Sequence, residues 1–143
     1  MKKYQELATL LLRFAMALTF LSAVASRLGL WGKYSSGWEK FLGYTSEVNS
    51  FAPHCIIPFL AVSATVLEII FSVLLIIGYK TKWTALGSAI LTLIYALATS
   101  YSFGLKEPFD YSVFVDTAAC FFLFTFPYFR WSLDKKIQKI KNK

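Results

Sequence analysis

Four stretches of this chain are each long and apolar enough to cross a lipid bilayer as a helix. A helix needs about 20 predominantly apolar residues to span the hydrocarbon core of a membrane. The stretches that meet this need are residues 7–28, 56–78, 83–101 and 112–129. The composition agrees, because 57% of the 143 residues are hydrophobic and only 16% are charged, against roughly 25% charged in soluble domains. We therefore expect one all-α domain over residues 1–143, an antiparallel four-helix transmembrane bundle.

The basic residues are distributed unevenly between the two ends of the predicted bundle. Cytoplasmic segments of membrane proteins carry an excess of Lys and Arg. Four crossings would place only Lys33, Lys40 and Lys106 at one end and ten basic residues at the other. Those ten are Lys2, Lys3, Lys80, Lys82, Arg130, Lys135, Lys136, Lys139, Lys141 and Lys143. The pattern predicts a multi-pass membrane protein with both termini in the cytoplasm.

The net charge of +7 is assigned to this bias and not to nucleic-acid binding. No nucleic-acid-binding fold and no groove of interleaved aromatic and basic residues is evident. The basic C-terminal tail, residues 130–143, is expected to hold the fourth helix at an anionic leaflet, by about 1 kcal/mol for each nearby lysine.

The longest connection, residues 29–55, joins the first two predicted helices and is rich in aromatic residues. Trp38, Phe41, Leu42 and Thr45 recur at helical spacing, with Glu39 and Lys40 off that face. Such a pattern is typical of an amphipathic helix at a membrane interface. We expect an extracytoplasmic segment that caps the bundle.

Neither cysteine nor histidine chemistry is indicated by the sequence. Cys55 and Cys120 are far apart and form no CxxC pair, so two unpaired thiols are expected. The only histidine, His54, has no clustered partners. We expect no metal site and no intrinsic cofactor.

Four ionisable residues lie within or at the ends of the predicted spans: Arg13, Arg27, Glu68 and Asp116. A charge at the centre of a membrane costs roughly 2.5–3.5 kcal/mol on insertion scales, so such residues usually face the bundle interior and pair. Arg13 and Arg27 are close to four full turns apart and project from nearly one face. The expected depths favour two stacked pairs, Arg13–Glu68 and Arg27–Asp116, over the crossed pairings.

Three interpretations of these charges stay open. The pairs can fix the packing of a small bundle, or line a polar cavity for a small polar or amphipathic ligand such as a quinone or lipid. Tyr95 and Tyr111 could add hydroxyl donors to such a site. Proton or ion translocation ranks last, because the four helices offer no evident continuous polar path.

Several segments resemble the DoxX family of small membrane proteins. The first helix, LLRFAMALTFLSAVASRLGLWG, matches the family pattern at Arg13, Phe20 and Arg27, with Ala17 and Val24 where the family has glycines. The second helix, LEIIFSVLLIIG, carries the acid at Glu68 and the LLxxG ending, and GLKEPFDYSVF resembles a related subgroup of small DoxX-like proteins.

The resemblance implies a four-helix integral membrane protein of the bacterial cytoplasmic (inner) membrane that is linked to quinone-dependent redox enzymes. We expect an accessory subunit that binds a quinone, a lipid or a catalytic partner, and that is not an enzyme on its own. The alternative is a non-catalytic assembly factor that docks a partner membrane protein. Its interface would be the aromatic cap or the row of small residues Ser88, Thr92, Ala96 and Ser100 on the third predicted helix.

Overall fold

The computed structural model describes residues 2–127, 129 and 131–141, and the side chains of residues 4–127, 129 and 131–140. Arg130 and Lys143, which were counted at the basic end of the bundle, lie outside the described residues. The chain is all-α, with 82% of residues in helices and no strand in the described part. The seven α-helices are α1 (Lys2–Arg27), α2 (Trp38–Val48), α3 (Ile57–Ile77), α4 (Thr81–Phe103), α5 (Lys106–Asp110), α6 (Val113–Thr125) and α7 (Leu133–Lys141). Two short 3₁₀ turns, Gly32–Tyr34 and His54–Ile56, precede α2 and α3.

Three helices in the described part are long and apolar enough to cross a membrane: Tyr4–Arg27, His54–Ile77 and Thr81–Phe103. They correspond to the first three predicted spans. The most extensive packing is between α4 and α6 and between α1 and α3. Arg13 contacts Leu75, whereas Arg27, further along α1, contacts Glu68, earlier on α3. The helices α1 and α3 are therefore antiparallel.

The fourth predicted span, residues 112–129, is longer than the helix that forms. The helix α6 ends at Thr125, and Phe126 is already extended, with φ −72° and ψ 137°. Pro127 follows, and a residue that precedes proline is disfavoured in the helical region because of a clash with the proline ring. The prediction counted apolar residues and missed this stop signal.

The predicted cap is confirmed as a helix. Thr45 is buried, Trp38, Phe41 and Leu42 are half-buried, and Glu39 and Lys40 are exposed. The helix α2 packs against α3 and α4 with this apolar face. It therefore covers one end of the helices that carry Glu68 and Tyr95.

The C-terminal segment that was predicted as a basic tail contains a docked helix. The carboxylate of Asp134 accepts hydrogen bonds from the backbone N–H groups of Lys80 (2.6 Å) and Thr81 (2.8 Å) at the start of α4. The N–H of Asp134 donates to the carbonyl oxygen of Gly78 at 3.0 Å. Because the first N–H groups of a helix lack partners within it, Asp134 caps α4 and ties α7 to the α3–α4 turn.

The small-residue row of α4 is used inside the chain. Ser88, Thr92 and Ala96 are buried. The hydroxyl of Thr117 on α6 donates to the hydroxyl of Thr92 at 3.0 Å. Small side chains let helices approach closely, and here they serve the packing of this bundle. The cysteines are both free, Cys55 exposed and Cys120 buried.

Candidate functional site

Arg13 is a buried cation whose partners are backbone carbonyls at the end of α3. Its side chain is 1% exposed. Nε and Nη2 donate to the carbonyl oxygen of Leu75 at 3.0 and 2.8 Å, Nη2 donates to that of Ile76 at 3.2 Å, and Nη1 to that of Trp131 at 2.9 Å. The last carbonyls of a helix have no partner within it, and a positive charge at this end is favourable. Arg13 therefore caps α3 and joins α1, α3 and the C-terminal segment.

Arg27 forms the ion pair with Glu68. Arg27 Nη1 donates to Glu68 Oε2 at 2.6 Å, and Nη2 donates to Oε1 at 3.1 Å. The hydroxyl of Tyr95 on α4 donates to Glu68 Oε1 at 3.0 Å, and Arg27 Nη1 also donates to the hydroxyl of Thr65 at 3.3 Å. Glu68 is 2% exposed. Three elements of the bundle thus meet at one carboxylate, whose charge is matched by a guanidinium.

The expected pairing of Arg13 with Glu68 is wrong, and the reason lies in the direction of helical side chains. Each Cα–Cβ bond in a helix tilts toward the N-terminus of its own helix. In the antiparallel pair α1 and α3, the side chains of Arg27 and Glu68 therefore lean toward each other, whereas Arg13 leans away from Glu68. The prediction compared the depths of the Cα atoms and did not include this tilt. The second expected pair, Arg27–Asp116, is likewise not among the salt bridges of the described residues.

A cavity of about 390 Å³ lies beside the Arg27–Glu68 pair. Its walls come from α1, α3, α4 and α6, and α2 closes one side with Phe41, Tyr44, Thr45 and Val48. The guanidinium carbon of Arg27 lies 3.9 Å from the centre of the Phe41 ring, so the cap helix contacts the ion pair directly. The volume is in the usual range of small-molecule sites, roughly 300–1,000 Å³.

The cavity combines apolar walls with a few polar groups that have spare hydrogen-bonding capacity. Arg27 carries five N–H donors, of which three are used by Glu68 and Thr65. Asp116 lines the cavity from α6, and its side chain has no hydrogen bond or ion pair with any described residue. Burial, with smaller contributions from Tyr111 and Glu107, raises the pKa of the Tyr44 hydroxyl, so Tyr44 presents a neutral hydroxyl. The site offers both donors and an acceptor to a ligand.

The cavity reaches the surface of the helix bundle between α3 and α4. Leu67 and Ile94 both line it and are 37% and 55% exposed. Both residues lie in helices that are long and apolar enough to cross a membrane.

The structure separates the predicted site residues into two groups. Arg27, Glu68, Tyr95 and Asp116 line the cavity. Arg13 lies at the other end of α3, and Tyr111 is 67% exposed beside α5 and is not part of the cavity wall. The cavity also uses side chains that the sequence argument did not assign to the site: Phe41, Tyr44, Thr92 and Thr99. The amphipathic pattern of α2 was the available signal for Phe41, since it placed this ring on the face that packs inward.

Long apolar helices around a buried, cavity-lining ion pair define a helical membrane protein with an internal polar site. The model of the DoxX family matches residues 8–100, about two thirds of the chain, and the chain belongs to this family. The matched region contains Arg13, Arg27, Glu68 and Tyr95, whereas Asp116 lies after it. Comparisons with curated proteins and with solved structures gave no match.

Proposed function

We propose that this DoxX-family membrane protein is a quinone-binding accessory subunit of a redox system. The observation that carries the proposal is the cavity beside Arg27, Glu68 and Tyr95, whose wall combines a mostly apolar surface with a few charged and hydroxyl groups. A quinone has the same division, with two carbonyl oxygens on a flat ring and a long apolar tail. Sites for such ligands are mostly apolar with a few placed polar groups.

The proposed arrangement of the chain has four crossings with both termini in the cytoplasm of a bacterial inner membrane. The helix α6 has 13 residues, which span about 20 Å at 1.5 Å per residue, against about 30 Å for the hydrocarbon core. We infer that α6 crosses together with the segments at its two ends. The packing of α6 along α4 and the excess of basic residues at the α3–α4 turn and α7 support this topology.

In this proposal the ring of the quinone lies in the cavity beside the Arg27–Glu68 ion pair, and its apolar tail extends from the cavity into the bilayer. The two unused N–H groups of Arg27 suit a quinone carbonyl oxygen, since carbonyls only accept hydrogen bonds. Asp116 only accepts when it is ionised, so it suits a hydroxyl of the reduced ring. The volume of about 390 Å³ accommodates a headgroup but not a long tail. The tail would leave between Leu67 and Ile94.

The alternative of a partner-docking factor has less support. One of its two candidate interfaces, the small-residue row of α4, is buried within the chain at Ser88, Thr92 and Ala96. The other, the aromatic cap of residues 29–55, packs on α3 and α4 through α2 and exposes Trp31 and Tyr34, which are 54% and 78% exposed. Exposed aromatic rings are also common at membrane interfaces without a protein partner.

A matched pair of substitutions on α1 tests the quinone site. Ala23 lines the cavity, whereas Ala15, eight residues earlier on the same helix, is exposed. The phenylalanine in Ala23→Phe would occupy the volume that a ring needs, and the one in Ala15→Phe would point into lipid. We expect a short-chain quinone to bind the wild type in lipid nanodiscs, with affinity at least about tenfold lower for Ala23→Phe, or 1.4 kcal/mol.

Isothermal titration calorimetry gives the affinities, and the melting temperature of each variant shows that the fold is kept. Ala15→Phe should bind as the wild type does. The proposal fails if the wild type shows no saturable binding, or if Ala23→Phe binds the quinone as tightly as Ala15→Phe.

A further inference from the structure

A second groove lies at the α3–α4 turn, where the start of α4 meets α7. Its volume is about 390 Å³, and its wall includes Lys80, Lys82, Trp83, Lys135 and Ile137. None of these residues lines the cavity beside Glu68. The groove is therefore a separate feature of the molecule, and its interpretation does not depend on the quinone proposal.

The groove is positively charged overall, because three lysines line it against one carboxylate, that of Asp134. Lys80, Lys82 and Lys135 are exposed, and none of them forms a salt bridge with a described residue. The ammonium groups of Lys80 and Lys82 lie 5.8 and 5.1 Å from the ring centres of Tyr79 and Phe124. The acid in the groove wall, Asp134, already accepts hydrogen bonds from the N–H groups of Lys80 and Thr81. Three cations are thus available to an anionic ligand.

The position of the groove places these cations at the headgroup level of a membrane. The membrane-spanning helix α4 begins at Thr81, so Lys80 and Lys82 flank the boundary between its apolar part and water. Trp83, one residue further on, is 66% exposed. Tryptophan is enriched at this depth because its ring is apolar and its N–H is polar. A ligand here can place charge against the lysines and hydrocarbon against Trp83.

The helix α7 extends the same surface on its other side. A further groove of about 590 Å³ is lined by Leu133, Lys135, Lys136 and Lys139. Leu133, Ile137 and Ile140 repeat at helical spacing on α7, and Leu133 and Ile140 are 36% and 74% exposed. An exposed apolar stripe beside lysines is the pattern of a helix that lies in the membrane interface.

We propose that the groove between the α3–α4 turn and α7 binds the phosphate headgroup of an anionic phospholipid. Lys80, Lys82 and Lys135 neutralise the phosphate, and the acyl chains lie along Trp83 and the lipid-facing side of α4. Basic pockets next to transmembrane helices are suited to such headgroups because the lipid supplies a fixed negative charge at this depth. The bound lipid holds α7 against the α3–α4 turn, where Asp134 of α7 caps α4.

Native mass spectrometry of the detergent-purified protein tests the site with two lipids of the same acyl chains. Phosphatidylglycerol is anionic and phosphatidylcholine is zwitterionic. We expect the wild type to retain phosphatidylglycerol at about tenfold lower concentration than phosphatidylcholine. Equal retention of the two lipids overturns the proposal, and this comparison needs no variant.

A pair of variants with the same change in charge locates the site. Lys82→Gln/Lys135→Gln removes two cations from the groove, and Lys33→Gln/Lys40→Gln removes two exposed cations that lie outside it. We expect the preference for phosphatidylglycerol to fall about tenfold in the first variant and to stay unchanged in the second. An equal fall in both variants overturns the assignment to this groove.

A free phosphate source is distinguished from a lipid by competition. Inorganic phosphate at millimolar concentration should leave the bound phosphatidylglycerol in place, because it lacks the acyl chains that contact Trp83. Displacement of the lipid by inorganic phosphate overturns the proposal in favour of a site for soluble anions.

Discussion

Arg13 and Arg27 project from nearly the same face of α1, yet their surroundings differ in every respect that matters for function. Arg13 donates to three backbone carbonyl oxygens, is 1% exposed and does not line the cavity. Arg27 is paired with a carboxylate, stacked on an aromatic ring and adjacent to a cavity. Arg13 caps the C-terminal end of α3, whereas Arg27 lines a cavity that is large enough for a small ligand.

The comparison shows that an arginine within a membrane span is not by itself evidence of a binding site. Backbone carbonyls at a helix terminus can accept the hydrogen bonds of a buried guanidinium without a direct ion pair. The candidate binding site at Arg27 differs in that its polar groups have hydrogen-bonding capacity that the protein does not use. Arg27 keeps unused N–H donors beside an open volume, and Asp116 adds an acceptor without a partner in the described part of the chain.

Replacement of Arg13 should cause the largest loss of stability. Arg13→Met keeps an apolar side chain of moderate length but leaves the carbonyl oxygens of Leu75, Ile76 and Trp131 without this donor. Each buried polar group that loses its partner costs roughly 1–3 kcal/mol, so we expect a loss of about 4 kcal/mol in unfolding free energy. Unfolding in mixed detergent micelles measures it. A loss below about 1 kcal/mol would show that Arg13 is not the cap that holds α3.

Gly78→Ala should destabilise the packing around Arg13 by a steric clash. Gly78 has φ +72°, and an added Cβ would meet the Cβ and Cα of Ser132 at 2.6 and 2.8 Å as well as the guanidinium of Arg13. Left-handed backbone costs a side-chain-bearing residue about 1–2 kcal/mol, and overpacking adds about 1–3 kcal/mol, so we expect a loss of about 3 kcal/mol.

The control for this substitution is Gly32→Ala. Gly32 has φ +57° and nothing within 4 Å of its added Cβ, so only the backbone term of about 1 kcal/mol should remain. Equal melting temperatures for the two variants would contradict the close packing of Gly78 against Arg13 and Ser132.

The Arg27–Glu68 pair should show coupling in a double-mutant cycle. We expect Glu68→Gln and Arg27→Gln each to cost about 3 kcal/mol, because each leaves one member of a buried pair uncompensated. The double variant should cost about 2 kcal/mol less than the sum, since the two losses share one interaction. Additive losses would mean that the two residues are not paired in the membrane.

Tyr95→Phe should have the smallest effect, because it removes one of three hydrogen bonds to the Glu68 carboxylate. A hydrogen bond to a charged group contributes about 1.5–3 kcal/mol when it is lost with its partner buried, and the two bonds from Arg27 reduce this to about 1 kcal/mol. The control is Tyr101→Phe, at a position that is 73% exposed, where the melting temperature should not change. A larger shift at Tyr101 than at Tyr95 would contradict the role of the Tyr95 hydroxyl.

Much of the candidate site could be predicted from residue types, but its pairing could not be taken from depth alone. Arg27, Glu68, Tyr95 and Asp116 were identifiable because charged and hydroxyl groups are costly in a membrane span and so tend to converge. The choice between Arg13 and Arg27 as the partner of Glu68 depended on the tilt of helical side chains. The stop of α6 before Pro127 was also readable from the sequence, through the restriction that proline places on the residue before it.

The sequence by itself determined the class of protein, its apolar helices, the amphipathic cap and four of the polar residues of the cavity, Arg27, Glu68, Tyr95 and Asp116. Hydropathy and helical periodicity are local properties, so they can be read from one segment without knowing which helices pack against it. Only the tertiary structure decided that α7 docks through Asp134, that Arg13 meets the end of α3, and that a cavity opens beside Arg27. These features depend on the relative register of helices, which is set by the sum of many packing contacts and not by any one segment.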